Sequence, residues 1–307
     1  MYYLADIFPF LNRWRKLPIS RDQLFLIMAA INELFMGLDT YSAHILNGTI
    51  RWNEWIPIIF GTSAGILLFF AGLIARRNRQ LANILATIIF FASIIVGFLG
   101  SFYHISRGAI LPGSSIFASL RIASFIWAPP AMAPLAFVLV GILGISAAWI
   151  EDPVNSGKLR INQRLSIQMP FSKTQAYFWM VTFGILVTLV SATLDHARSG
   201  YLNPWLWLPF FSPILAGTIA FLCGFQKQLS RSEVWFYTIS MIILGLVGVI
   251  GFYLHLSESL TASNWKVLER YLRGAPFLAP LLYANMAAMG LIVLLDPQEK
   301  MIESKSK

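Results

Sequence analysis

Four histidines are the whole imidazole complement of this 307-residue chain, and they fall into two pairs. His44 lies in residues 38–48, LDTYSAHILNG; His196 lies 152 residues later in residues 190–200, VSATLDHARSG. The register continues through Trp55 on Trp207, Pro57 on Pro209 and Gly65 on Gly217. At a shift of 151, His104 falls on His255, Gly97 on Gly248 and Gly100 on Gly251. A neutral imidazole ligates metals and exchanges hydrogen bonds and protons near neutral pH. Two of them on facing helices would suit a bis-imidazole b-type haem. His44 with His104, and His196 with His255, are therefore the candidate metal and cofactor ligands. Copper, zinc or iron without a macrocycle would accept the same nitrogens. A structural hydrogen-bonding role, or pigment ligation, is the competing reading.

Supporting residues follow from that geometry. Gly37, Gly97, Gly100, Gly248 and Gly251 would let a flat ring approach the backbone. Arg107, Arg198 and Arg273, with Arg121 and Arg270, are placed to meet propionates or lipid headgroups. Glu33, Gly37, Thr40 and His44 follow a 4-3-4 spacing that puts them on one helix face. Carboxylates inside a membrane are expensive and mark functional paths. Glu33 and Asp39 are thus candidate proton-path residues. In the repeat register Glu33 meets Ile185 and Asp39 meets Ser191, so the two halves are expected to do different work.

The elements that must hold these residues are membrane helices. The chain is 57% hydrophobic and 12% charged, against about a quarter charged in soluble domains. Eight apolar runs are expected to be long enough to cross a bilayer, each crossing needing ~20 residues. The expected fold is an all-α membrane protein of eight transmembrane helices, arranged as two parallel four-helix repeats. The spans are expected near 24–46, 56–75, 82–105, 125–149, 175–197, 205–226, 234–256 and 275–295. The expected division is an interfacial segment 1–22, a first repeat 23–150, a connector 151–173, a second repeat 174–296 and a tail 297–307. Sixteen of the 23 Lys and Arg lie on the side of the N-terminus, so both termini are expected to be cytoplasmic, in an inner, cytoplasmic-type membrane. The net charge of +9 then reports topology and a lipid bilayer partner rather than nucleic acid. In up-down bundles the first and third helices are diagonal partners, which would let the histidines of each pair face one another near the outer surface.

The single cysteine, Cys223, excludes an intrachain disulfide, a CxxC metal site and a Cys-held iron–sulfur cluster. No P-loop, GxGxxG, HExxH or GxSxG motif is present. Proline clusters, IWAPPAMAP at 126–134 and GAPFLAP at 274–280, begin the fourth and eighth spans and could open a quinone-sized cavity. Eight helices in two halves, an outer polar layer and the stretch RGAPFLAPLLY (273–283) resemble the polysulfide-reductase-type (NrfD-type) membrane subunits. That resemblance implies a quinol-binding anchor that docks on iron–sulfur and catalytic partner subunits, with His44 and Glu33 nearest the quinol headgroup. The leading expectation is a quinol-handling or electron-transfer subunit of a larger redox complex, either haem-bearing or haem-free. As an enzyme it would be at most the quinol-oxidising subunit of an oxidoreductase. A transporter built from parallel repeats, and a structural subunit of a respiratory or photosynthetic complex, are the alternatives.

Overall fold

The computed structural model describes residues 3–9, 20–45, 48–75, 77–108, 130, 132–161, 165–197, 200–261 and 278–297. A short helix α1 (Leu4–Ile7) precedes four long ones: α2 (Arg21–Ile45), α3 (Trp55–Ile74), α4 (Arg79–Gly108) and α5 (Leu135–Ala148). After a small sheet come α6 (Lys173–Ala197), α7 (Leu208–Phe225), α8 (Arg231–Thr261) and α9 (Leu281–Val293). A 3-10 turn (Pro204–Trp207), capped by the Asn203 side chain, leads into α7. Six of the helices are long and apolar enough to cross a membrane, whereas α5 and α9 are shorter apolar helices of 14 and 13 residues.

Each long helix sorts its residues by a period near 3.6. On α2 the buried stripe is Phe25, Ala29, Glu33 and Gly37, while Ile27, Ile31 and Phe35 face outward. On α4 the outward stripe is Ile88, Phe91, Ile95, Phe98 and Phe102. Large apolar side chains exposed along whole helices are a lipid-facing surface rather than a water-facing one. Helix α5 is the exception, with ten of its 14 residues buried, because it packs on α2, α4 and α6 at once.

The packing order is α2–α3–α4–α5 and back to α2, then α6–α7–α8–α9 and back to α6. The two rings meet where α5 touches α6 and where α9 touches α2. Close backbone approach sets several of these contacts. A Cβ on Gly97 of α4 would stand 2.7 Å from the Val138 amide nitrogen and 2.9 Å from the Pro134 carbonyl oxygen of α5. A Cβ on Gly248 of α8 would stand 2.6 Å from the Ala284 nitrogen and 2.8 Å from the Pro280 oxygen of α9.

The connector departs from the all-α expectation. It folds into a three-stranded antiparallel sheet: β1 (Ile150–Glu151), β2 (Lys158–Arg160) and β3 (Ser166–Gln168), with Leu159 opposite Ile167. The strand alternation explains it: Leu159 turns inward while Lys158 and Arg160 face out. This sheet sits over a cluster of buried charge. The Lys173 ammonium donates to a carboxylate oxygen of Asp22 and to the Trp149 carbonyl at 2.5 Å. Tyr177 donates its hydroxyl to the other Asp22 oxygen at 2.9 Å, and Arg21 donates to the Thr174 hydroxyl at 2.9 Å. Glu151 accepts from the amides of Gly157, Lys173 and Asn155 at 2.8, 2.9 and 3.0 Å. Ionised side chains removed from water are retained only when paired and hydrogen-bonded; here Asp22 satisfies Lys173, and the Arg21 Nε, 3.7 Å from Asp22, has no hydrogen-bond partner among the described residues.

Candidate functional site

At the far end of the helices from that cluster, α2 and α4 face one another diagonally across their ring. His44, in the last turn of α2, comes to His104 of α4 with ring centroids 6.1 Å apart and planes at 52°. In the other ring His196 of α6 comes to His255 of α8, also at 6.1 Å, with planes at 88°. All four rings are half-buried.

Backbone partners set the tautomer of the first pair. His44 Nδ1 donates to the Thr40 carbonyl at 2.8 Å, one turn back on its own helix. His104 Nδ1 donates to the Pro130 carbonyl at 3.0 Å. A carbonyl oxygen can only accept, so the proton sits on Nδ1 and the Nε2 lone pair is left as an acceptor or ligand. Arg107, one turn beyond His104, donates to Glu54 at 3.0 Å, and Glu54 also accepts the Arg51 amide at 2.8 Å. That arginine is already committed to a carboxylate. Arg198 and Arg273, together with Arg121 and Arg270, lie outside the described residues.

The haem expectation divides into two parts. Two imidazole nitrogens on opposite sides of one metal, each about 2 Å from it, would put the ring centroids roughly 6 Å apart, and both pairs meet that spacing. The glycines do not supply the slot that a macrocycle requires. Gly97 is covered by Val138 and Pro134, Gly100 by Pro134, Gly248 by Ala284 and Pro280, Gly251 by Pro280, and Gly37 by Thr62 and Gly61. They bring helices together instead of holding a ring. The prolines likewise close contacts: Pro134 and Pro280 are the residues immediately before α5 and α9, packed on those glycines.

Eleven residues below His44 and eleven below His104, the same two helices touch again. Ser93 Oγ of α4 lies 2.5 Å from Glu33 Oε1 of α2 and 2.8 Å from the carbonyl oxygen of Phe137 on α5. Both side chains are fully buried. The second carboxyl oxygen, Glu33 Oε2, is buried with no hydrogen-bond partner among the described residues. Asp39 is not part of this line. It is exposed, and six residues on from Glu33 it projects about 120° around α2 from it, on the face of Asn32. Asn32 accepts from Asn285 of α9 at 3.0 Å, at the seam between the rings.

Sequence reasoning missed Ser93, a single serine in an apolar run, and it missed the Asp22–Lys173 cluster, whose cations read as ordinary topology markers. Among the described residues no group of three or more His, Cys, Asp or Glu is placed to hold a metal ion. Fold and site together define a multi-pass membrane protein of apolar helices with a paired-imidazole layer at one end. Comparison with protein-family models, curated proteins and solved structures gave no match.

Proposed function

We propose that this chain is the quinol-handling membrane subunit of a redox complex, with eight spans in two parallel repeats, both termini cytoplasmic, and an architecture like that of the polysulfide-reductase-type anchors. The repeat is supported by contacts made twice. Arg21 with Thr174 and Lys173 with Asp22 are the same pairing under the 152-residue shift. Phe25 stacks on its own repeat mate Tyr177, with centroids 4.2 Å apart. Gly97 on Val138 and Pro134 matches Gly248 on Ala284 and Pro280. Eight spans follow from the eight apolar runs of the sequence, of which α5 and α9 are the two shorter apolar helices.

The observation that carries the quinol reading is the stacking of the His44–His104 pair over the Glu33–Ser93 pair on the same two helices. A quinol hydroxyl is a hydrogen-bond donor that becomes a proton donor as the ring is oxidised. The Nε2 lone pairs of His44 and His104 are the acceptors for it, at the level where released protons leave the membrane. Oxidation of one quinol to quinone releases two protons and two electrons. The electrons pass to a metal centre of a partner subunit, since the chain's own short loops hold no soluble redox domain. A b-type haem would supply one-electron transfer if bound between the imidazoles, but the closed glycine contacts favour the haem-free form. Asp39 faces away from this line, which leaves Glu33 as its inner carboxyl.

The test is quinone extraction from the purified chain, joined to a reduced-minus-oxidised absorption spectrum and metal analysis. Co-purified quinone, lost in His44→Ala and His104→Ala, is the expected result. A sharp b-haem α-band lost in the same variants would replace this reading with the haem-bearing one. Neither quinone nor haem nor metal would overturn both.

A further inference from the structure

The Ser93 hydroxyl stands between two oxygens, Glu33 Oε1 at 2.5 Å and the Phe137 carbonyl at 2.8 Å. A serine hydroxyl has one hydrogen. The Phe137 carbonyl can only accept, so the Ser93 proton at 2.8 Å belongs to it. The 2.5 Å approach of Glu33 Oε1 to the same hydroxyl oxygen then needs a hydrogen of its own. A protonated Glu33 carboxyl supplies that hydrogen. The chain of donation is Glu33 to Ser93 to the Phe137 carbonyl. The partnerless Glu33 Oε2 agrees with it, because a neutral carbonyl oxygen tolerates burial that a charged one does not. The group hydrogen-bonded to the Glu33 carboxyl is Ser93 of α4, which in turn meets the Phe137 carbonyl of α5, and neither carries a charge.

The second repeat provides an internal control. Glu33 corresponds to Ile185 and Ser93 to Leu244, on the matching helices α6 and α8. Both are fully buried in the core of the second ring. The same diagonal is therefore filled by an apolar pair in one half and by a carboxyl and hydroxyl in the other. Packing does not require the polar pair, and burying it is costly. We infer that Glu33 and Ser93 form a proton-binding site in the first half, with Ser93 as the positioning residue that holds the protonated carboxyl in place.

This deepens the proton side of the quinol reading, and its test is independent of whether quinol binds. The measurement is infrared spectroscopy of the purified full chain in lipid at neutral pH, before and after H/D exchange. The expected result is a carboxylic-acid C=O band that shifts in D2O, vanishes in Glu33→Gln and moves in Ser93→Ala as its hydrogen bond is lost. The control Glu33→Ile/Ser93→Leu transplants the second-half pair into the first half; it should fold as well as the parent and lack the band. Absence of the band in the parent, or its survival in Glu33→Gln, overturns the proposal. Misfolding of the transplant also counts against it, since the polar pair would then serve packing.

Discussion

Removing the carboxylate of Asp22 takes the counter-ion from Lys173 and one of the hydrogen bonds from Tyr177 in a single step. The side chains of Arg21 and Lys173 are 2% and 1% exposed and that of Asp22 is 13% exposed, so surface screening does not rescue the stranded cation. Breaking a buried pair by deleting one partner costs about 3–5 kcal/mol, whereas replacing both partners with apolar groups is often neutral. At about 1.4 kcal/mol per tenfold, that is roughly two to three and a half orders of magnitude in the unfolding equilibrium. Asp22→Ala should show that loss in equilibrium unfolding of the purified chain in mixed detergent–SDS micelles. Asp22→Ala/Lys173→Met should recover much of it, because methionine keeps an apolar stem at the wall of a cavity that Lys173 lines together with Leu139 and Trp179. The recovery stops short of complete, since buried Arg21 also loses its neighbouring carboxylate, and the Tyr177 hydroxyl and the Trp149 carbonyl each lose a partner, at about 1–3 kcal/mol per buried group. A single-variant loss below about 1 kcal/mol, the range of exposed ion pairs, would refute the reading of Asp22–Lys173 as a buried pair.

Two further outcomes follow from the packing. Gly97→Val and Gly248→Val should destabilise by similar amounts, at or above the usual ~1–3 kcal/mol of overpacking, because the atoms each would meet are backbone and cannot swing aside; the same unfolding assay reads both, and a large difference between them would count against the repeat. Gly72, exposed on α3 with open space around it, should instead gain about 0.5–1 kcal/mol as Gly72→Ala from helix propensity alone.

How much of this was legible in the sequence depended on period and register. Apolar runs near 20 residues located the long helices within a few positions, because lipid forces every backbone group into a helix. The histidine pairs were readable because a shift of about 150 residues aligned four scarce residues at helix ends. The sheet was not, since a strand of three residues, Lys158–Leu159–Arg160, has the composition of a polar loop and only its alternation betrays it. The charge cluster was hidden by a different rule. Arg21 and Lys173 look like cytoplasmic flank residues, and nothing local says that both turn inward. The glycines were misread as room for a ring because small residues serve cofactor approach and helix approach equally well. Ser93 had one available signal: in the repeat register Glu33 and Ser93 depart together from Ile185 and Leu244, and paired departures point to contact.

The same comparison predicts which half works. Beneath His44 and His104 lies the Glu33–Ser93 pair, and beside them Glu54 receives Arg107. The repeat mates of Glu54 and Arg107 are Leu206 and Glu258. The second half therefore has the imidazoles but neither the inner carboxyl–hydroxyl pair nor the same outer ion pair. If protons are exchanged between the imidazole layer and Glu33, His104→Ala should abolish quinol binding or turnover, and His255→Ala should leave most of it. Both substitutions remove one member of a pair with the same 6.1 Å spacing, so their structural costs should be alike and any difference in function reflects what lies beneath each pair. Quinone content and quinol-dependent electron delivery to the partner complex would read the difference. Equal loss in the two variants would mean that the paired imidazoles, rather than the carboxyl below one of them, define the site.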